Sequence, residues 1–244
     1  YDLYKANRKP MPDDLSEQLP YLYDIFNALK IKVYKMDGFE ADDIIGTISK
    51  KISNENIDLF MYSADKDLMQ LINENTFLYS PGSTFKPTKI YKEKDVYEKH
   101  GVIPDQFIDY LALLGDTSDN IPGVKGIGSK TAVKLINDFK SMDQIYTLID
   151  KINNPRIKNL LIDDKRNALL SKELVTIDTN MDIDFKLEES NAKNLLFDNI
   201  VEKLHDLDIF TFDKELMNKK DTDQDNNQNI NQNYKIIKSY SEID

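Results

Sequence analysis

Three acids fall within four residues in the stretch GFEADDIIG: Glu40, Asp42 and Asp43. Two more, Asp65 and Asp67, stand in SADKDL, and a third pair, Asp116 and Asp119, in LLGDTSDNIPG. Any one of these acids alone is ordinary, since Asp caps helix starts and acids favour the positive end of the helix dipole. Seven acids in three clusters ask for more. Carboxylates brought together repel, and one is expected to protonate unless a cation neutralises the group. Oxygen ligands without Cys or His suit a hard ion, Mg²⁺ or Mn²⁺. Two such ions about 3.5–4 Å apart can clamp the attacking and leaving oxygens of a phosphodiester displacement.

The stretch IPGVKGIGSKTAVKLI (121–136) carries a second signal. Gly123, Gly126 and Gly128 precede Ser129, a good N-cap, and a helix-forming run. Glycines admit a phosphate close to the backbone, and a helix N-terminus offers it free N–H groups. Lys125, Lys130, Lys134 and Lys140 stand against Asp138, four positive charges to one negative. An ordinary glycine turn with a solvated lysine face is the plain alternative. The GK[ST] ending of a Walker loop is absent and no strand precedes, so a hairpin between two helices that touches DNA phosphates fits better. Tyr4, Lys5, Arg8 and Lys9 form a smaller basic and aromatic patch. On a helix, Tyr4 and Arg8 would be neighbours, and such a patch suits a single strand held by charge and stacking.

These residues need elements that bring them together. IKVYKM (31–36) reads as a strand closed by Gly38, and 41–52 as a helix with Ile44, Ile45 and Ile48 at helical spacing. IDLFMYS (57–63) is a continuous apolar run of the kind found in buried parallel strands, followed by a helix over 66–72. FLYS (77–80) and TKIYKE (88–93) read as a strand pair across a PGS turn, and Tyr21, Leu22, Ile25, Phe26 and Leu29 mark a further helix. The first two acid clusters then follow strands, at the edge where open parallel sheets form ligand crevices. From Pro104 onward the spacing is helical, through QFIDYLALL, SKTAVKLINDF, MDQIYTLID and RNALLSKELVTI. The expected fold is α/β: a mainly parallel sheet with flanking helices over 1–103, then a helical DNA-binding region over 104–212. The polar, low-complexity DTDQDNNQNINQN places a disordered linker over 213–233, and 234–244 resumes an apolar pattern like the first strand of another domain.

The 244 residues hold 32 Lys and Arg against 43 Asp and Glu, a formal charge of −11. This excludes a uniformly basic nucleic-acid coat but leaves room for a local patch. The absence of cysteine excludes disulfides, zinc–thiolate sites and thiol catalysis. His100 and His205 lie far apart without metal-ligand spacing, which disfavours Ser–His–Asp chemistry. No run approaches the roughly 20 apolar residues of a membrane span, and no leader pattern is visible, so a cytoplasmic placement is expected. The first residue is Tyr1, so a start inside a longer protein is expected.

The strings YKANRKPMPDDL, GFEADDIIGT, SADKDLMQL and LALLGDTSDNIPGVKGIGSKTA resemble, in order, the 5′ nuclease domain of bacterial DNA polymerase I, with the related flap endonucleases and phage 5′ exonucleases. The resemblance covers residues 1–212 and is most specific in GDxSDNIPGVxGIGxKTA. It implies a magnesium-dependent 5′→3′ exonuclease and flap endonuclease that removes RNA primers and 5′ flaps during replication and repair. It implies two Mg²⁺ or Mn²⁺ ions at Glu40, Asp42, Asp43, Asp65, Asp67, Asp116 and Asp119. It implies a helix–hairpin–helix element at Gly123, Lys125, Gly126, Gly128, Ser129 and Lys130 that grips the duplex with a bound K⁺. Tyr4, Lys5 and Arg8 match the end of a helical arch around the 5′ strand, with Lys5 and Arg8 steering and neutralising the scissile phosphate.

The family pattern also places a strand with an Asp, and a further acid, N-terminal to Tyr1, so an N-terminally incomplete nuclease core is expected. The tail YKIIKSYSEID resembles the start of a proofreading-like domain. The expected partners are DNA with 5′ flaps, nicks or RNA primers, and downstream polymerase domains of the same protein, with no membrane and no sign of a homo-oligomer. Two other classes compete. One is a non-catalytic duplex-binding module, for want of two acids. The other is a phosphatase or nucleotide-binding α/β protein, which leaves the hairpin without a role.

Overall fold

The computed structural model describes residues 1–84, 86–197 and 200–211, so the expected linker over 213–233 and the strand over 234–244 lie outside the described residues. The helices and strands run α1 (Asp13–Ser16), α2 (Leu19–Ala28), α3 (Ala41–Ile52), β1 (Leu59–Tyr62), β2 (Thr76–Ser80), β3 (Lys89–Tyr91), α4 (Glu93–His100), α5 (Phe107–Leu114), α6 (Ser129–Phe139), α7 (Met142–Thr147), α8 (Pro155–Asp163), α9 (Lys165–Val175) and α10 (Ile200–His205). They form two units, Tyr1–Pro10 with Tyr34–Phe185, and Met11–Val33 with the chain from Lys186.

All the candidate residues lie in the first unit. Its sheet has the order β1-β2-β3. β1 runs parallel to β2, with Leu59 beside Thr76 and Tyr62 beside Tyr79, and β2 runs antiparallel to β3, with Leu78 opposite Tyr91. The strand pair expected around the PGS turn is therefore present. Three expectations need correction. Residues 31–36 form no strand: a strand needs a ladder partner, and this segment has none among the described residues. Among the described residues β1 is an edge strand rather than a buried one. Met61 points inward at 3 % exposure while Phe60 and Tyr62 lie at 41 % and 70 %, the alternation of a strand covered on one face. The helix expected over 66–72 is the tighter 3₁₀ turn Asp67–Leu71.

α3 forms as its spacing predicts. Asp42 and Asp43 occupy its first turn and Lys50 and Lys51 its last, each pair matched to its end of the helix dipole. One hydrophobic core runs from the sheet into the helices across position 103, through Leu68, Leu78, Phe107, Leu111, Ile136 and Leu161. Each such side chain contributes about 1.5–3 kcal/mol by leaving water. α5 packs on α9 and α6, which sets the loop 115–128 at the end of the helical layer. In the second unit α2 packs on α10, and the Leu196 N–H donates to the Leu29 carbonyl at 3.1 Å.

Candidate metal and nucleic-acid site

Glu40 is the extended residue before α3, and the Asp43 carboxylate accepts its N–H at 3.0 Å. The other Asp43 oxygen accepts the Asp178 N–H at 2.9 Å, so this acid also secures the segment after α9. Asp65 follows β1, and its carboxylate accepts the Asp67 N–H at 2.9 Å. Asp116 and Asp119 sit in the loop after α5, which is closed by paired Asp116–Ile121 backbone hydrogen bonds of 3.0 and 2.7 Å. Three chain segments thus deliver the acids.

The acids act on one another across these segments. Burial, then the charges of Asp65 and Glu40, push Asp42 up to about 6. Burial, then Asp65, Asp116 and Asp119, push Asp67 up to about 7 against the opposing pull of Lys66. Asp65 links the two groups, so one electrostatic network spans the seven acids. Asp116 goes the other way. Burial raises it, but the Lys66 ammonium and the Ser118 hydroxyl and N–H outweigh that and hold it at about 2. The Ser118 N–H lies 2.8 Å from Asp116 Oδ1, while Lys66 Nζ pairs with Oδ2.

The N-terminal basic residues meet these acids. Lys5 pairs with Glu40 and lies 4.0 Å from Asp119, and Arg8 Nε donates to Asp119 Oδ1 at 2.8 Å. Burial pulls Lys5 down, but its hydrogen bonds to Glu40 and Tyr4 prevail and raise it. The Tyr4 hydroxyl lies 3.4 Å from the same Glu40 oxygen. These residues are not helical neighbours, contrary to expectation. Residues 1–8 form successive tight turns, with Lys5 in the left-handed region at φ 56°, because the segment is tied to the 115–120 loop. The Lys5 N–H donates to the Asp119 carbonyl at 2.9 Å, Asn120 to the Leu3 carbonyl at 2.7 Å, and Asn7 to the Thr117 carbonyl at 2.8 Å.

The donor set suits a hard divalent ion. It is all oxygen, it is crowded enough to raise two acids, and Asp67 Oδ1 is buried without a hydrogen-bond partner. No three of these side chains stand ready around one point among the described residues. Lys5, Arg8 and Lys66 instead neutralise Glu40, Asp119 and Asp116.

The glycine hairpin packs its apolar residues inward, with Ile121, Val124 and Ile127 at most 4 % exposed. Pro122, Lys125, Gly126, Gly128, Ser129 and Lys130 face outward. Gly128, rather than Ser129, is the N-cap of α6. Its backbone is extended and its carbonyl accepts the Thr131 and Ala132 N–H groups, while Ser129 is already helical. The N–H groups of Ser129 and Lys130 are left without an acceptor among the described residues, as a first helical turn requires. Gly123 has a different task from the exposed glycines. It is buried, donates its N–H to Ser171 Oγ at 2.9 Å, and lies against Gly115.

Lys66, Ser118, Asp164 and Ser171 carry parts of this arrangement that the sequence did not disclose. For Ser118 a local signal exists, since Asp-x-Ser spacing lets an Asp side chain accept the N–H two residues on. Lys66 pairs with Asp116, fifty positions away, rather than with the acids flanking it.

Residues 1–101 match the family model described as the N-terminal resolvase-like domain of 5′-3′ exonuclease, and residues 102–198 match the one described as its C-terminal SAM fold. The DNA polymerase I of Caldicellulosiruptor bescii is 40 % identical over 218 residues, covering 88 % of this chain and 26 % of that protein. The 5′-3′ exonuclease of Buchnera aphidicola is 40 % identical over 192 residues, covering 76 % of this chain and 66 % of that one. The chain spans about a quarter of the length of the DNA polymerase I relatives it matches. Among solved structures, the bacteriophage T5 flap endonuclease in a pseudo-enzyme–product complex with DNA and metal ions is 25 % identical with a TM-score of 0.60, over 91 % of this chain and 78 % of that one. No described helix is long and apolar enough to cross a membrane.

Proposed function

The chain belongs to the 5′-3′ exonuclease family, with DNA polymerase I relatives at 35–40 % identity, and from this we propose that it hydrolyses phosphodiesters at the 5′ ends, flaps, nicks and RNA primers of duplex DNA. The observation that carries this reading is the single electrostatic network of acids from three segments in the same unit as an outward-facing glycine hairpin. The substrate is DNA of this kind, acting beside downstream polymerase domains of the same protein, in the cytoplasm with the chromosome.

Glu40, Asp42, Asp43, Asp65, Asp67, Asp116 and Asp119 would hold two Mg²⁺ or Mn²⁺ ions. When bound, such ions supply Lewis-acid activation of water and stabilise the leaving oxygen. Lys5 and Arg8 sit on Glu40 and Asp119, where a substrate phosphate draws them by exchanging one anionic partner for another. Tyr4 stands beside them as a stacking surface for the 5′ strand. The outward residues Lys125, Gly126, Gly128, Ser129 and Lys130 would hold the duplex by its phosphates, and a K⁺ bound at the hairpin would add positive charge there. A non-catalytic duplex-binding module is the second reading, favoured by the three cations already seated on the acids.

Flap cleavage in Mg²⁺ separates the two readings: the second predicts retention of the duplex without product. Two further results are expected. Mn²⁺ at about 100 times its Kd stabilises by about 2.7 kcal/mol, raising the melting point by roughly 5–10 °C. The rise should be larger at pH 8 than at pH 5, where Asp42 and Asp67 are protonated and compete with the ion; an unchanged melting point at millimolar Mn²⁺ contradicts the metal assignment. Gly126→Val places a branched side chain at φ 87° and against Leu160. Duplex affinity should fall by about tenfold for unrelated sequences alike, as loss of phosphate contacts requires, and an unchanged affinity would make the hairpin purely structural.

A further inference from the structure

We propose that Asp164 is a positioning residue for the glycine hairpin, holding the backbone that meets duplex phosphates. This rests on the reading of the hairpin as the duplex-binding element. Asp164 lies at the corner between α8 and α9, and Oδ2 accepts the Lys125 N–H at 2.8 Å. Oδ1 accepts the Asn167 side-chain amide at 2.9 Å, so both oxygens are engaged by protein donors. The Asp164 backbone is fixed as well: its N–H donates to the Leu160 carbonyl at 3.1 Å and its carbonyl accepts the Ala168 N–H at 3.0 Å.

The same corner holds the hairpin at two other points. A Cβ at Gly126 would lie 3.2 Å from Leu160 Cδ1, and the fully buried Ser171 accepts the Gly123 N–H. Residues 123, 125 and 126 are therefore each seated on α8, α9 or the corner between them. With its N–H taken up by Asp164, Lys125 is exposed, as is Lys130.

The charge of Asp164 argues for geometry. Lys125, Lys165 and Arg166 are all exposed near it in sequence or contact, and a carboxylate among them repels phosphate. Considered as a charge alone, Asp164 opposes DNA binding, and its removal should tighten the complex. Considered as the acceptor of a charge-assisted hydrogen bond, its removal should loosen the hairpin and weaken the complex. The two readings predict opposite signs.

The experiment measures anisotropy of a labelled 5′-flap duplex, without divalent metal, at one salt concentration, with melting recorded for every variant. Asp164→Ala should weaken affinity by about tenfold, despite the lost negative charge. Asp164→Asn, which keeps one acceptor oxygen, should recover most of the loss. Asp164→Glu retains the charge but displaces the oxygens by a methylene, and should weaken binding as well; it serves if the alanine variant melts below the assay temperature. Asp163→Asn, an exposed neighbour, should instead tighten binding by up to about threefold, as removal of a like charge does. In cleavage, Asp164→Ala should raise KM and leave kcat at saturation unchanged. If Asp164→Ala and Asp164→Glu both bind as tightly as the parent while Gly126→Val does not, Asp164 has no positioning role and the hairpin reading stands. If Gly126→Val also binds normally, both fall.

Discussion

Replacing Asp67 with asparagine is expected to stabilise the metal-free protein at pH 8 while removing at least about 99 % of flap cleavage. Asp67 is raised to about 7 by burial and by Asp65, Asp116 and Asp119. The contribution to folding of an acid raised in the folded state is full below its ordinary value of 3.8 and is lost progressively until pH passes the folded value of about 7. At pH 8 the parent must hold an ionised Asp67 whose Oδ1 finds no hydrogen-bond donor. Asparagine has the same shape and no charge to ionise. The variant should melt with the parent near pH 3, below the ordinary value of 3.8, and increasingly above it as pH rises to 8, and the Mn²⁺-dependent rise should shrink. Its duplex affinity should stay within about twofold, since the hairpin phosphate contacts are untouched. A parent-like cleavage rate in Asp67→Asn removes this acid from the catalytic set. A melting point that drops equally at pH 3 and pH 8 would assign it a structural hydrogen bond instead.

The second large effect concerns stability. Gly123→Ala is expected to destabilise the fold by about 3–4 kcal/mol or more. The alanine methyl would lie 2.5 Å from the Gly115 nitrogen and 2.7 Å from the Leu114 carbonyl carbon, both backbone atoms that cannot turn aside. Gly123 also sits at φ 62°, where a side chain adds strain. Gly128→Ala forms the control. Its methyl meets nothing within 4 Å, so stability should hold to within about 0.5 kcal/mol. Urea unfolding of both variants distinguishes the roles: glycine for helix–loop packing at 123, glycine for access from solvent at 128. Equal stability of the two variants contradicts the close Gly115–Gly123 approach.

The two classes of glycine look alike in IPGVKGIG, and only packing separates them. The acids were legible because a carboxylate declares its chemistry by type, and because Ala41–Ile52 forms a helix from its own apolar spacing. The same is true of the helices after Pro104 and of the β2–β3 pair, whose signals are local. The strand expected at 31–36 failed for the converse reason. A strand depends on a partner for its backbone hydrogen bonds, and no local pattern supplies one.

What the amino-acid sequence determined by itself was the donor chemistry, the helical periods and the turn residues, all of which depend on near neighbours. What only the tertiary structure decided was pairing over long separations. Lys66 is bound to Asp116 and not to the adjacent acids, Arg8 to Asp119, and Asp164 to the backbone of Lys125. The rise of Asp42 and Asp67 belongs to the same class. Coulomb interaction depends on distance and on the water excluded between groups, and both are set when distant segments pack together.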